Sequence, residues 1–484
     1  MKNDLLHDPL GVVNVGLEMF TESLARAGAP VAHLDWRPPG DGDPKLAWTL
    51  AQLAGDADDA SAIGSRIDRA NEAATGRMLA ARPLLVDVAA RADGIWPELW
   101  ANGRKTLTHA GAPIEWARMC DPMKGTMIGA LLYEGWAHSA DEAAERLARG
   151  EVEFLPNHDI RAVGPMSGAI SPSMPVFVVR NATHGNLAYT NFSEGIGRVL
   201  RFGAYGPDVI ERLKWIAAVI APAIKAALAG IPGGVDLKAI QSQALLMGDE
   251  VHSRNAAATA LFHMAIGGAL AGSGFDRGRA REALDFIAAT SQFFLNLSMV
   301  ASKSIMDATH GVEGSSIVTA IARNGVTTAI RVSGLGSRWF ESPSDLPIGL
   351  FFPGFRQEDA NPDLGDSAIC ETAGYGGQAL AASPALVQLV GGSVAQAVEY
   401  SREMYPITWT RNPVMSLPNL EFAGGPAGID VRKVVDTGIR PVVTTGIAHK
   451  QAGVGQIGAG IVRVPMACFT QATLALAASL GVPS

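Results

Sequence analysis

Apolar residues recur at helical spacing over residues 16–27, Gly28 stops the run, and 31–36 read as a strand closed by Arg37-Pro-Pro-Gly40. Helix then strand returns at 65–81 and 83–88, which predicts a small N-terminal α/β portion. Residues 97–137 are mostly helical by pattern, and Ser139 with Glu142 forms a capping box for a helix running to Arg149. Short strands follow over 152–202, among them 176–181 and 186–191. Residues 207–307 are nearly all helix formers, broken at 230–234 and 272–274 into four or five helices. Two alternating segments, 316–324 and 326–334, then meet at Asn324-Gly325, the strongest short hairpin signal. Beyond them, 351–372 is loop-rich, 378–400 helical, and 434–464 strand-like around a glycine loop, with a last helix to about Leu480. These shifts divide the chain at 1–150, 151–205, 206–308 and 309–484. The expectation is a multidomain α+β fold, with central strand-rich and helical portions and a C-terminal α+β portion.

A chain of 484 residues, 48% apolar and 18% charged, has the composition of a globular protein with a large core. Its mean hydropathy of +0.16 fits a surface partly buried against another subunit, a homo-oligomer included. A net charge of −8 without dense Lys/Arg patches argues against nucleic-acid binding, while leaving room for a local anion site. Cys120, Cys370 and Cys468 are odd in number and widely spaced, as expected of reduced thiols rather than disulfides or a zinc motif. Residues 1–10 lack a signal-peptide core, and the longest apolar region, 215–235, is interrupted by Pro222, Lys225 and Pro232. A cytoplasmic protein that does not span a membrane is expected.

Gly453-Val-Gly-Gln-Ile-Gly458 matches the dinucleotide fingerprint, but a strand-like segment follows it and no acidic residue occurs after Asp436. No cofactor is expected.

Three polar clusters remain. Asp249, Glu250, His252, Arg254 and Asn255 interrupt an apolar helical pattern. On a helix, Asp249 and His252 share a face and Glu250 and Arg254 form an i,i+4 pair. A carboxylate beside an imidazole can fix its tautomer or share a proton or metal with it; the plainer alternative is a solvated face with one ion pair. Glu313, Ser315 and Ser316 fall in a loop before the hairpin, with Arg323 and Asn324 at the far end of the first strand, pointing to opposite faces. Asp366 and Ser367 resemble an N-cap, followed by Glu371, Thr372 and glycines from Gly374 that let backbone amides approach an anion. An active cleft is expected where the 249–255 helix meets 313–316 and 364–377. His252, Asp249 and Glu313 are the catalytic candidates. Arg254, Asn255, Ser315, Ser316, Arg323, Asn324, Asp366, Ser367, Glu371 and Gly374 are the substrate or anion ligands, and no metal set is assigned.

Together, the segments 14–18, 31–39, 248–255, 313–316, 322–325 and 364–368 make the chain resemble the YlbE/YahG-like family of bacterial proteins from about residue 10 onward. The resemblance implies a subunit of an oxamate carbamoyltransferase of allantoin catabolism, acting beside a succinyl-CoA synthetase-like subunit and a third small one. That enzyme converts oxalurate and phosphate to oxamate and carbamoyl phosphate. The chemistry needs cations for phosphate, donors for the carbonyl oxygen and an acid for the leaving nitrogen, roles that Arg254 or Arg323, the amides near Gly374, and His252 match by residue type. The Ser-Thr-Arg-Thr and His-Pro-x-Gln motifs of the ornithine and aspartate carbamoyltransferases are missing, so the scaffold differs. Two other readings stay open: a structural or substrate-presenting subunit, and a metal-dependent amide hydrolase using Asp249, His252 and Glu313.

Overall fold

The helix Phe294–Thr309 runs through the middle of the molecule, buried along nearly its whole length. The computed structural model describes residues 11–34, 38–56, 59–195 and 197–482, so the end of the 31–36 strand lies outside them. This central helix packs on a five-stranded sheet ordered Ala162–Val163, Leu187–Thr190, Val176–Asn181, Pro83–Ala89 and Val235–Asp236. It also touches the strand Val318–Asn324 and the short helix Ile369–Thr372. Phe177, fully buried on its strand, stacks on Phe192 at 3.9 Å between ring centroids and meets Phe293 edge-on at 6.5 Å. Aromatic area of this kind dominates a core.

The stretch is helical as expected but holds six segments rather than four or five: Pro207–Trp215, Ala221–Ala229, Leu237–Leu246, Ala256–Gly272, Arg277–Ala289 and the central helix. Between the first two, Ile216–Ile220 form a π turn, which relieves the clash of the Pro222 ring with the carbonyl four residues earlier. Residues 97–137 are less helical than their pattern suggests. The segment holds 3-10 turns at Pro97–Leu99, Ala101–Gly103 and Trp116–Arg118, a buried strand Thr106–His109, and a true helix at Asp121–Tyr133. Positive φ at Asn102, Gly103 and Gly111 interrupts the helical ladder there. Ser139 Oγ accepts the Glu142 N–H at 3.1 Å, capping Ala140–Ala148, while the Glu142 carboxylate takes the His138 N–H at 2.8 Å.

The hairpin of Val318–Asn324 and Thr327–Val332 turns at Asn324-Gly325, with Gly325 at φ +76° and Asn324 Oδ1 accepting the Thr327 N–H at 2.7 Å. It is the middle of a four-stranded sheet flanked by Phe340–Pro343 and Leu364–Gly365. In the C-terminal portion, Val431–Thr437 is a helix rather than strand, stopped by Gly438 at φ +69°. Val442–Ala448 and Gln456–Arg463 form the second hairpin, with Ile348–Phe351 on its edge. The glycine run therefore joins two strands. A side chain at Gly458 would strike the Leu350 carbonyl at 2.3 Å and one at Gly460 the Ile348 carbonyl at 2.6 Å, so these glycines serve close strand approach. The architecture is mixed α+β with several small sheets. Among the described residues, no single helix is long and apolar enough to cross a membrane.

Phe177→Ala is expected to lower the free energy of unfolding by about 3–5 kcal/mol in urea titration. A loss below about 1 kcal/mol would mean that the main core lies elsewhere.

Candidate functional site

Residues 249–255 are a loop between Leu237–Leu246 and Ala256–Gly272, not a helix. Gly248 at φ +91° and Val251 at φ +56° leave helical space, so the predicted face and i,i+4 pair do not form. Asp249 Oδ2 instead accepts the Ala258 N–H at 2.9 Å at the start of the next helix, and its Oδ1 meets Arg254 Nε at 3.1 Å. The Glu250 carboxylate accepts the backbone N–H groups of Ser253 and, at 2.8 Å, Arg254. Asn255 Nδ2 donates to the His252 carbonyl.

His252 reaches across to Glu371, with Nδ1 at 2.8 and 3.0 Å from the two carboxylate oxygens. Glu371 Oε1 also accepts the N–H groups of Gly377 at 2.9 Å and Thr444 at 3.1 Å, while Thr444 Oγ1 donates to Glu250 at 3.1 Å. A glycine amide, that of Gly377, thus does approach a carboxylate, and it is the chain's own. A Cβ at Gly376 would lie 2.1 Å from Glu371 Oε1, which is why no larger residue fits. Gly374 lies against the Pro426 carbonyl. Two of the three expected segments therefore meet, in a cluster closed to solvent.

The third does not join them. Glu313 is exposed, while Ser315 and Ser316 bind Asn71: Ser315 Oγ to Asn71 Oδ1 at 2.9 Å, and Asn71 Nδ2 to Ser316 Oγ at 2.8 Å. Their environment is set by the helix Ile63–Ala80, which a local reading of the loop cannot supply. Arg323 is 1% exposed, paired with Asp363 at 2.7 Å and donating to the Gly365 carbonyl, Ser367 Oγ and Thr445 Oγ1. Asn324 is spent on its turn and the Ala112 carbonyl. The Asp366 carboxylate does not cap its own helix; it accepts the N–H groups of Gly111 at 2.8 Å and Gly164 at 3.1 Å and the Asn157 amide at 3.0 Å.

A cavity of about 600 Å³ opens beside His158, walled by the central helix, the 318–332 hairpin and the turn Asn157–Ile160. Lys303, Asp307 and His310 face it from the helix, Arg331 and Thr319 from the hairpin, and His158, Asp159 and Arg161 from the turn. Lys303 Nζ holds Asp307 Oδ1 at 2.6 Å, Arg331 pairs with Asp159, and His310 Nδ1 meets Thr319 Oγ1 at 2.7 Å. The Arg331 guanidinium lies 4.1 Å over the Trp339 ring. Burial, then the charges of Lys303 and Arg331, hold the His158 imidazole well below its usual range, and His310 is lowered by burial and Lys303. Both rings are therefore neutral at neutral pH. Several buried wall atoms have no protein partner: both His158 nitrogens, Arg331 Nε, Trp339 Nε1, Asp307 Oδ2 and Asn186 Oδ1. Such atoms are costly to bury unless something binds them.

Sequence reading missed this wall. Its signals were Lys303 and Asp307, one turn apart in an otherwise uncharged helix, with His310 just past its end, and His158-Asp-Ile-Arg161 close together in the chain. Arg161 itself adopts φ +60°, uncommon for a residue with a side chain.

Fold and site define an α+β protein with a mixed-charge cavity whose wall carries unpaired polar atoms. A family model described as oxamate carbamoyltransferase subunit AllG matches residues 152–367, a span that holds every charged residue of the cavity wall. The chain is 49% identical over 417 residues to the oxamate carbamoyltransferase subunit AllG of Escherichia coli (strain K12), covering 86% of this chain and 99% of that one. It is 44% identical over 482 residues to the uncharacterized protein YahG of the same strain, across 100% of both. A crystal structure of a conserved protein of unknown function from Enterococcus faecalis V583 superposes with a TM-score of 0.83 at 43% identity, covering 87% of this chain and 99% of that chain. The chain belongs to the AllG/YahG family.

Burial raises the carboxyls of Glu250 to about 7 and of Asp366 to about 6, from 4.5 and 3.8. The folded state binds these protons more tightly than the unfolded chain does. The stability they contribute is full below about pH 4 and is lost as pH rises through about 6 to 7, for Glu250 roughly 3 kcal/mol. Raising the pH from about 5 to about 8 should therefore lower the melting temperature of the native chain more than that of Glu250→Gln. Equal shifts would show that Glu250 carries its charge at no cost.

Proposed function

We infer that the chain is a subunit of an oxamate carbamoyltransferase-type complex, and that the cavity beside Lys303 holds the ureido or amide acid that reacts. The observation that carries this reading is the set of unpaired atoms on the wall. Arg331 Nε and Trp339 Nε1 can donate, whereas Asp307 Oδ2 and Asn186 Oδ1 can accept. An anion with oxygens alone leaves both acceptors unmet. A carboxylate that also carries amide N–H groups, as oxalurate and oxamate do, meets both kinds of need.

The identity to AllG supports the same reaction, oxalurate and phosphate giving oxamate and carbamoyl phosphate. It also supports a place beside partner subunits, with a succinyl-CoA synthetase-like chain as the partner we propose. Ile348, Leu350 and Phe352, at alternate positions along an edge strand and its extension, are 78%, 46% and 41% exposed, which suits a subunit contact. Phosphate is the second reactant, and Arg161 with Lys303 are the cations available to it at the cavity. The hydrolase reading loses support. Asp249 pairs with Arg254, His252 with Glu371, and Glu313 is exposed, and among the described residues no group of three or more acidic, His or Cys side chains is arranged to hold a metal ion.

Release of phosphate from carbamoyl phosphate should depend on oxamate and on the partner subunit, and Lys303→Met should lower kcat/KM about 100-fold. Failure of the reconstituted complex to turn over, with its subunits folded and associated, sinks the reading.

A further inference from the structure

His158 is nearly fully buried in the cavity wall, and neither ring nitrogen has a hydrogen-bond partner. Its ring plane is nonetheless fixed. Trp339 packs edge-on against it at 5.4 Å between centroids and an 87° angle, and Asn157, its neighbour in the same turn, is anchored to the Asp366 carboxylate and the Gly168 carbonyl. Asp366 Oδ1 stands 3.6 Å from His158 Nε2, just beyond a direct hydrogen bond. That carboxylate cannot swing away, because the Gly111 and Gly164 amides and Asn157 hold it from other directions. The other titratable neighbours of the ring, the charged Lys303 and Arg331 and the neutral His310 imidazole, lie on the cavity side. A neutral imidazole set in the wall of a polar cavity, with a fixed carboxylate behind it, is the arrangement that moves protons in group transfer.

We propose that His158 is the proton-transfer residue of the cavity and that Asp366 is its positioning residue, its charge 3.6 Å away favouring the proton on Nε2 and leaving Nδ1 for the reactants. This rests on the carbamoyl-transfer reading above. A phosphate oxygen of the monohydrogen dianion attacks the carbamoyl carbon, forming the C–O bond, and its proton passes to Nδ1. The C–N bond then breaks, and the departing amide nitrogen takes that proton from the imidazolium. One proton enters and leaves the ring, the products are the amide acid and carbamoyl phosphate, and the total charge does not change. Lys303 and Arg331 beside the ring disfavour the imidazolium, so Nδ1 takes the proton only as the C–O bond forms and gives it up readily to the departing nitrogen.

The test uses the reconstituted complex, with carbamoyl phosphate and oxamate as substrates. His158→Gln should lower kcat about 100-fold or more while the KM for oxamate moves less than about threefold, and free imidazole should restore part of the activity of His158→Gly. Histidine 15N spectra of the full chain, with the His158 signal found by its loss in His158→Gln, should show the Nε2-protonated tautomer. In Asp366→Asn that tautomer should give way to a mixture. If Asp366→Asn does not fold, the tautomer in the native chain still decides: a proton on Nδ1 overturns the role of Asp366. A complex that is active natively and keeps its kcat with His158→Gln overturns the role of His158 and leaves the carbamoyl-transfer reading standing. A natively inactive complex overturns both.

Discussion

Enclosure of the helix Phe294–Thr309 is the constraint on which the rest of this structure depends. A helix buried along nearly its whole length cannot send most of its polar residues to water, so most find partners inside. Lys303 finds Asp307, Ser298 Oγ donates to the Val251 carbonyl, and Asn296 donates to the Asn191 carbonyl. Where the helix passes the 318–332 hairpin, its last turns meet a gap rather than packed side chains, and charged groups gather there at the price of incomplete pairing. The cavity is thus a consequence of how the central helix is wrapped.

The buried ionic clusters next to it act as framework. Thr444 and Thr445, adjacent on the strand Val442–Ala448, point to opposite sides and tie two networks together: Glu250, His252 and Glu371 on one side, Arg323 and Asp363 on the other. Removing one member would strand a buried charge, whereas the intact network fixes several loops relative to one another. Asp366 belongs to this framework on one side and stands behind His158 on the other, so the segment 364–377 supports the cavity without lining it.

Local chemistry made much of the fold legible. Asn324-Gly325 between alternating segments could form little but a tight hairpin, and the breaks at 230–234 and 272–274 fell between helices because glycine runs cannot continue them. The same logic misled at 249–255, where apolar periodicity ran through a stretch that Gly248 and Val251 bend out of helical space. It misled again at 97–137, where strand pairing with Glu153–Pro156 outweighed local propensity.

By itself, then, the sequence determined which segments are helix or strand where spacing and turn residues agree, and that buried charges must exist, since charged residues sit within apolar runs. Which charges face a shared space was decided only by the tertiary structure. The Lys303, Arg331 and His158 side chains come from a helix, a hairpin and a turn, the last lying far before the other two in the chain, and Glu371, read as a ligand for anions, is itself the anion that the Gly377 amide binds. Periodicity reports which side of an element is buried; it carries no information about which other element lies opposite.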